Sequence, residues 1–213
     1  MQWTLVIPLK PLSRAKSRLS DTAGDGVRPG LALAFAQDTV AAALSCTAAV
    51  ADVAVVTDDG RAARELAALG ARIVPDAPGS GLNAALAHGA AAVRGIRPRT
   101  PVAALNADLP ALRPAELALV LGAAAEFPRA FLADAAGRGT TLLAAGPDGE
   151  LQPEFGIDSR ARHRGSGAEE LRLTGVDSVR QDVDTGDDLR AALALGVGPH
   201  TAAVSAGLLI PGF

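Results

Sequence analysis

Four short runs of β-branched and small apolar residues, Trp3–Ile7, Asp52–Thr57, Ala71–Val74 and Pro101–Leu105, are spaced along the first half of the chain. Between them lie longer Ala/Leu-rich segments. Gly30–Ala49 carries Leu33, Phe35, Val40 and Leu44 near helical spacing, and Arg61–Leu69 and Leu82 to about Arg94 read the same way. Strands that alternate with helices of this length fold as an α/β structure, with a mostly parallel sheet covered on both faces. Local punctuation agrees. Asp58-Asp59-Gly60 turns the chain after the second strand, and Gly70 stops the next helix. Pro114 opens a helix to about Glu126 at the position where its missing N–H costs nothing.

The second half leaves strict alternation. Arg129–Ala133 and Thr140–Ala145 read as two strands around a Gly-rich turn, so a mixed sheet is expected there. Ser166–Arg172 reads as a short helix, Val179–Val183 as a last strand and Thr185–Leu195 as a last helix. At 213 residues the chain has the length of a single domain and can bury about 70% of its unfolded surface.

Composition narrows the partners. Twenty basic against 23 acidic residues give a net charge of −3, which disfavours a nucleic acid or an anionic membrane as partner. A single cysteine, Cys46, makes no internal disulfide and suits a reducing compartment. The opening MQWTLVIPLKPLSRAKSRLS places its apolar run before its cations, the reverse of a secretory signal. Apolar stretches stay short of the roughly 20 residues that span a bilayer. A cytoplasmic protein is expected.

In such sheets ligands bind beyond the carboxyl ends of the strands. Lys10, Arg14, Lys16 and Arg18 follow the first strand, Asp58 and Asp59 the second, and Asn106 and Asp108 the fourth, while Asp182 and Asp184 belong to the last. Four cations in nine residues of a net acidic chain suit a phosphate-bearing ligand, or form a solvated basic loop. The loop has neither the P-loop glycines nor GxGxxG. Asp108, in LNADLP, either holds Mg²⁺ or caps the helix that follows. Asp182 and Asp184, two apart on the expected strand, point to one side, where two like charges call for a cation between them. Thr185 and Asp188 form a capping box. FGIDSRARHRGSG offers backbone amides near Gly156 and Ser159 for anionic oxygens, with arginines around them. His163 reads there as a loop hydrogen-bonding group rather than a general base, and no GxSxG elbow is present.

The ordered set PLKPLSRAKSRL, VVTDD, GLNAAL, NADLPAL, GRGTTLL, FGIDSRARHRGSGA and DVDTGDDL resembles the phosphoenolpyruvate/2-phospho-L-lactate guanylyltransferases of coenzyme F-420 biosynthesis, from about Thr4 to Gly198. The resemblance implies that residues 1–213 form one guanylyltransferase domain, a nucleotidyltransferase-like three-layer α/β/α sandwich. It implies Mg²⁺-dependent transfer of GMP from GTP to a phosphorylated three-carbon acid, with release of pyrophosphate. Thr140, Gly156 and Ser159 match the acceptor-binding positions. Asp108 and Asp182, with Asp184 beside them, match the metal carboxylates. Lys10, Lys16 and Arg18 fall where the triphosphate is steadied, and Thr57, Asp58 and Asn83 where base and ribose are read; Lys16, Asp108 and Asp182 carry the catalytic role. A molybdopterin-type guanylyltransferase and a non-catalytic GTP-binding module are the alternatives. The apolar Leu208-Leu209-Ile210 offers a packed tail or the patch of a homodimer.

Overall fold

The computed structural model describes residues 1–14 and 26–206. Lys16, Arg18 and Leu208-Leu209-Ile210 lie outside the described residues. One sheet is formed by β1 (Trp3–Pro8), β2 (Val50–Val56), β3 (Arg72–Val74), β4 (Val102–Leu105), β5 (Arg129–Ala133), β6 (Thr140–Ala145) and β7 (Glu169–Glu170). Their order is β3-β2-β1-β4-β6-β5-β7. Only β6 runs against its neighbours β4 and β5; the other pairs are parallel. The mixed sheet expected of the second half is therefore present.

Period-two alternation sorts each long strand between two cores. Leu5, Ile7, Val53, Val55, Ala103, Leu105 and Leu142 face one side. There they meet α1 (Arg28–Ser45), α2 (Gly60–Ala68) and α4 (Pro114–Ala124) through Val40, Leu66, Leu117 and Val120. Val6, Ala54, Val56, Ala104, Phe131 and Leu143 face the other side, against Leu86, Ala90 and Val93 of α3 (Leu82–Ile96). Gly89 sets the closeness of that second contact: a Cβ there would lie 2.6 Å from methyl carbons of both Val6 and Val56. The sandwich is three layers deep.

The remaining helices are α5 (Ser159–Gly165), α6 (Asp177–Arg180), α7 (Gly186–Leu195) and α8 (Pro199–Ser205). Leu31 and Phe35 of α1 share a small core with Val183, Leu189 and Ala192, which fastens α7. Asp38, also on α1, accepts the amides of His200 and Thr201 at 3.1 and 2.8 Å and so caps α8 from a distant element. Thr185 and Asp188 form the expected capping box on α7, and Pro114 opens α4 as read. Among the described residues no helix is long and apolar enough to cross a membrane.

Two assignments need correction. Ser166–Arg172 is not helical. The helix lies upstream as α5, started by a turn in which the Ser159 amide donates to Gly156, and Gly167 breaks it with φ of +85°. The segment from 166 then extends to add β7 beside β5. Val179–Val183 is not a strand either: Val179 lies within the one-turn α6 and Val183 in a stretch outside the sheet. Their spacing reflects two separate cores, since Val179 packs with the sheet's first face and Val183 with α1 and α7.

Candidate active site

The sheet brings the ends of its parallel strands to one edge. β1 leads to Lys10, β2 to Thr57 and Asp58, and β4 to Asn106 and Asp108; β6, being antiparallel, begins there with Thr140. This is the edge beyond which a ligand is expected in such a sheet, and its acidic and polar parts are held by different means.

Asp108 and Asp182 are brought together by backbone. The Val183 amide donates to the Asp108 carbonyl at 3.1 Å, and the Asn106 side-chain amide reaches Asp182 Oδ2 at 3.5 Å. Arg180 fixes this stretch from behind, donating to the carbonyls of Ala133, Leu171 and Leu173. The Ala135 amide donates to the Arg180 carbonyl in return. Asp108 is half-buried, with its Oδ1 withdrawn from solvent. It does not cap the following helix, whose N-cap is Arg113. Asp184 is exposed, and its amide donates to Asp188 Oδ2. The strand that was to align Asp182 with Asp184 is absent. Among the described residues no three Asp, Glu, His or Cys side chains form a ready-made metal cluster.

Thr140 and the Gly156–Ser159 turn meet through a buried histidine. Ser159 and His163 stand four residues apart on α5, so both face inward, at 1% and 0% exposure. The Glu154 amide donates to His163 Nε2 at 3.0 Å, so that nitrogen carries no proton. Nδ1 therefore bears the hydrogen and donates to Thr140 Oγ1 at 2.9 Å. The Thr140 hydroxyl hydrogen is left to donate elsewhere. Burial, with Arg129 and Arg162 nearby, lowers the His163 pKa to about 4, so the ring is neutral at pH 7. Phe131 and Phe155 pack against it with ring centroids at 5.7 and 5.0 Å. Gly156 holds φ of +117°, and a Cβ there would lie 3.1 Å from the Arg162 guanidinium, itself bound to the Phe155 and Ile157 carbonyls.

The other side of the crevice is built around Asp59. It caps α2 through the amides of Arg61 and Ala62, and its Oδ2 accepts the Leu12 amide at 2.9 Å, where the basic loop leaves β1. Partial burial pushes its carboxyl up, but hydrogen bonds from Ala62, Leu12 and Arg61 outweigh that and hold it below the ordinary aspartate value. Thr57 is buried and accepts the Asp59 amide. Asp58 is exposed and accepts the Asp76 amide. Asn83 donates to the Phe155 carbonyl and accepts the Phe155 amide at 3.1 and 2.8 Å, so it joins α3 to the Gly156 turn. Lys10, two residues past β1, is exposed.

Residues 3–204 match the family model described as guanylyl transferase, CofC-like. The chain belongs to this family. It is 79% identical over 212 residues, covering all of both chains, to the phosphoenolpyruvate guanylyltransferase of Streptomyces coelicolor. Among solved structures, a nucleotidyl transferase from Methanothermobacter superposes with a TM-score of 0.60 at 20% identity, over 91% of this chain and 97% of that one. A CMP:2-keto-3-deoxy-manno-octonic acid synthetase complexed with CTP gives 0.57 at 20%, over 92% and 98%. Identities this low speak to fold alone, and the fold is that of nucleotidyltransferases.

Within this guanylyl transferase fold, three residues hold more than the sequence pattern assigns them. Asp59, a strand-end carboxylate in a turn, also ties Leu12; Arg180 has no sequence signal; and His163, the expected hydrogen-bonding group, stands on a helix rather than in a loop. The i, i+4 pairing of Ser159 with His163 was the available signal for the last. Nothing in the sequence pattern marks the reach of Asp59 to Leu12, which spans 47 residues.

Proposed function

We propose that the protein is a phosphoenolpyruvate guanylyltransferase, transferring GMP from GTP to the phosphate of phosphoenolpyruvate and releasing pyrophosphate. The observation that carries this reading is the junction of Thr140, His163 and the Gly156–Ser159 turn at the sheet edge that also carries Asp108, in a chain alike from end to end to enzymes of that name. The product is an activated diphospho-guanosine of coenzyme F-420 biosynthesis, made in the cytoplasm.

An acceptor phosphate oxygen attacks the α-phosphorus of GTP in line, and the bond to the bridging oxygen of pyrophosphate breaks. A phosphate ester has its second pKa near about 6, so at pH 7 the nucleophile is already ionised. No base is needed, and His163 is not one: both ring nitrogens are occupied, and it is neutral and buried. Its task is to hold the Thr140 hydroxyl as a donor towards the acceptor, beside the amides at Gly156 and Ser159. Lys10, with Lys16 and Arg18 of the same basic run of sequence, offsets triphosphate charge. Catalysis here is positioning and electrostatics.

Asp108 and Asp182 fit Mg²⁺, which takes oxygen ligands and is often held by one or two carboxylates with substrate phosphates completing its shell. Two carboxylates on hydrogen-bonded backbones match that donor set, and Asp184 lies at its exposed margin. Bound there, the ion would neutralise phosphate charge.

The test is ³¹P NMR of GTP, phosphoenolpyruvate and Mg²⁺ with the protein. A new pair of coupled phosphoanhydride resonances together with free pyrophosphate is expected. Unchanged GTP, or hydrolysis to GMP without that pair, would refute the reading.

A further inference from the structure

Arginines crowd the half of the molecule that holds Thr140, Gly156 and Ser159, and most are committed to the protein itself. Arg129 donates to Gln152 and Ser166. Arg180 and Arg162 donate to backbone carbonyls. Arg160 and Arg164 share Glu170, whose side chain is only 10% exposed, and Arg160 also holds the Gly137 carbonyl. Arg138 differs. Its side chain, 76% exposed, pairs through the guanidinium with Asp158 Oδ1 at 3.3 Å, and the Asp158 side chain is itself 58% exposed. A pair this open to water contributes about 0–1 kcal/mol, so a competing anion can displace it.

The base of the arm, by contrast, is fixed. The Arg138 amide donates to Asp134 Oδ1 at 2.9 Å, the Gly139 amide to Asp134 Oδ2 at 2.8 Å, and the Arg138 carbonyl accepts the Arg160 amide. Gly139 cannot carry a side chain there, because a Cβ would lie 2.4 Å from Asp134 Oδ2. The arm therefore starts two residues before Thr140, and its head rests on Asp158, between Gly156 and Ser159. The comparably exposed pair Arg99–Asp148 sits at the opposite edge of the sheet, before β4 and after β6.

We infer that Arg138 is a specificity-determining residue for the acceptor, leaving Asp158 to bind the acceptor's carboxylate. Asp158 acts as its placeholder when the acceptor is absent. The inference rests on the acceptor reading above. The acceptor's phosphate must be presented to GTP, which leaves its carboxylate to be balanced by the protein. His163 is neutral, and the amides of the turn carry no full charge. A planar guanidinium fork matches a carboxylate in a bidentate way.

The experiment measures pyrophosphate release at saturating GTP and Mg²⁺, with phosphoenolpyruvate varied, for wild type, Arg138→Gln, Arg138→Lys and Asp158→Asn. Arg138→Gln is expected to raise KM for phosphoenolpyruvate by about tenfold or more while KM for GTP holds, and Arg138→Lys to recover part of it. Asp158→Asn, which releases the arm, is expected to leave that KM equal or lower. Equal losses in Arg138→Gln and Asp158→Asn would mean that the pair only braces the loop, and would overturn the inference. So would an unchanged KM in Arg138→Gln, with wild-type turnover intact. Wild type that shows no acceptor-dependent release would overturn the acceptor reading, and this inference with it.

Discussion

The amide of Val183 donates to the carbonyl of Asp108 at 3.1 Å, across 75 residues of sequence. This one bond joins the loop after β4 to the segment between α6 and α7 and sets the two acidic side chains of the crevice on neighbouring backbones. Arg180 and the small core around Val183 hold the second segment in place from either side.

If those carboxylates hold the ion, an amide of the same shape cannot replace one, because it lacks the charge. Asp108→Asn should lower kcat by about a hundredfold or more while the melting temperature stays within a few degrees. Steady-state kinetics beside a thermal melt checks this. Near-normal kcat would remove Asp108 from the site.

The buried histidine makes a prediction about pH. Its folded pKa of about 4 lies below the ordinary histidine value of 6.5, so the unfolded chain binds more protons between those limits. Stability from this group is complete above pH 6.5 and is lost as pH falls towards 4, by roughly 2–3 kcal/mol at pH 4.5. Urea unfolding of wild type and His163→Gln at pH 7.5 and 4.5 isolates the effect, and the variant's decline should be smaller by that amount. Parallel declines would mean that the ring is not held neutral. The variant should also raise KM for the acceptor, because Thr140 loses the donor that orients it.

Much of this arrangement was legible in the sequence. The strands from Trp3 to Leu105 and their helices followed from periodicity and punctuation, because each is a regular local pattern bounded by its own turn signals. The edge of the crevice followed from the strands. Local pattern misled where an irregular segment mimics strand spacing, as at Val179 and Val183, which pack into separate cores without a strand between them, and where α5 is started by the Gly156 turn rather than by an apolar stripe. Long-range ties such as Asp59 to Leu12 and Asn83 to Phe155 leave no trace in spacing at all.

Asp59 should couple stability to nucleotide binding. Asp59→Ala removes the cap of α2 and the tie to Leu12, with an expected loss of about 1–2 kcal/mol. It should also raise KM for GTP, since the basic loop begins at that tie, and Asp59→Asn should restore most of the stability. Because the folded carboxyl is held below its ordinary value, its contribution is present above that value and fades as pH drops through the folded pKa. Chemical denaturation and GTP titration of the two variants decide it.

Gly89→Ala tests the fold apart from the site. The added methyl would meet Val6 and Val56 at 2.6 Å in a filled core, for a loss of about 1–3 kcal/mol. Denaturant unfolding should show the loss, and activity per folded molecule should be kept. A neutral substitution would mean that α3 can retreat from the sheet.

The most direct measurement is pyrophosphate release from GTP with Mg²⁺, compared across phosphoenolpyruvate, 2-phospho-L-lactate and no acceptor. Release that requires phosphoenolpyruvate is the predicted result, and it fixes reaction and acceptor together. A folded protein that binds GTP yet releases no pyrophosphate with either acid would contradict the account.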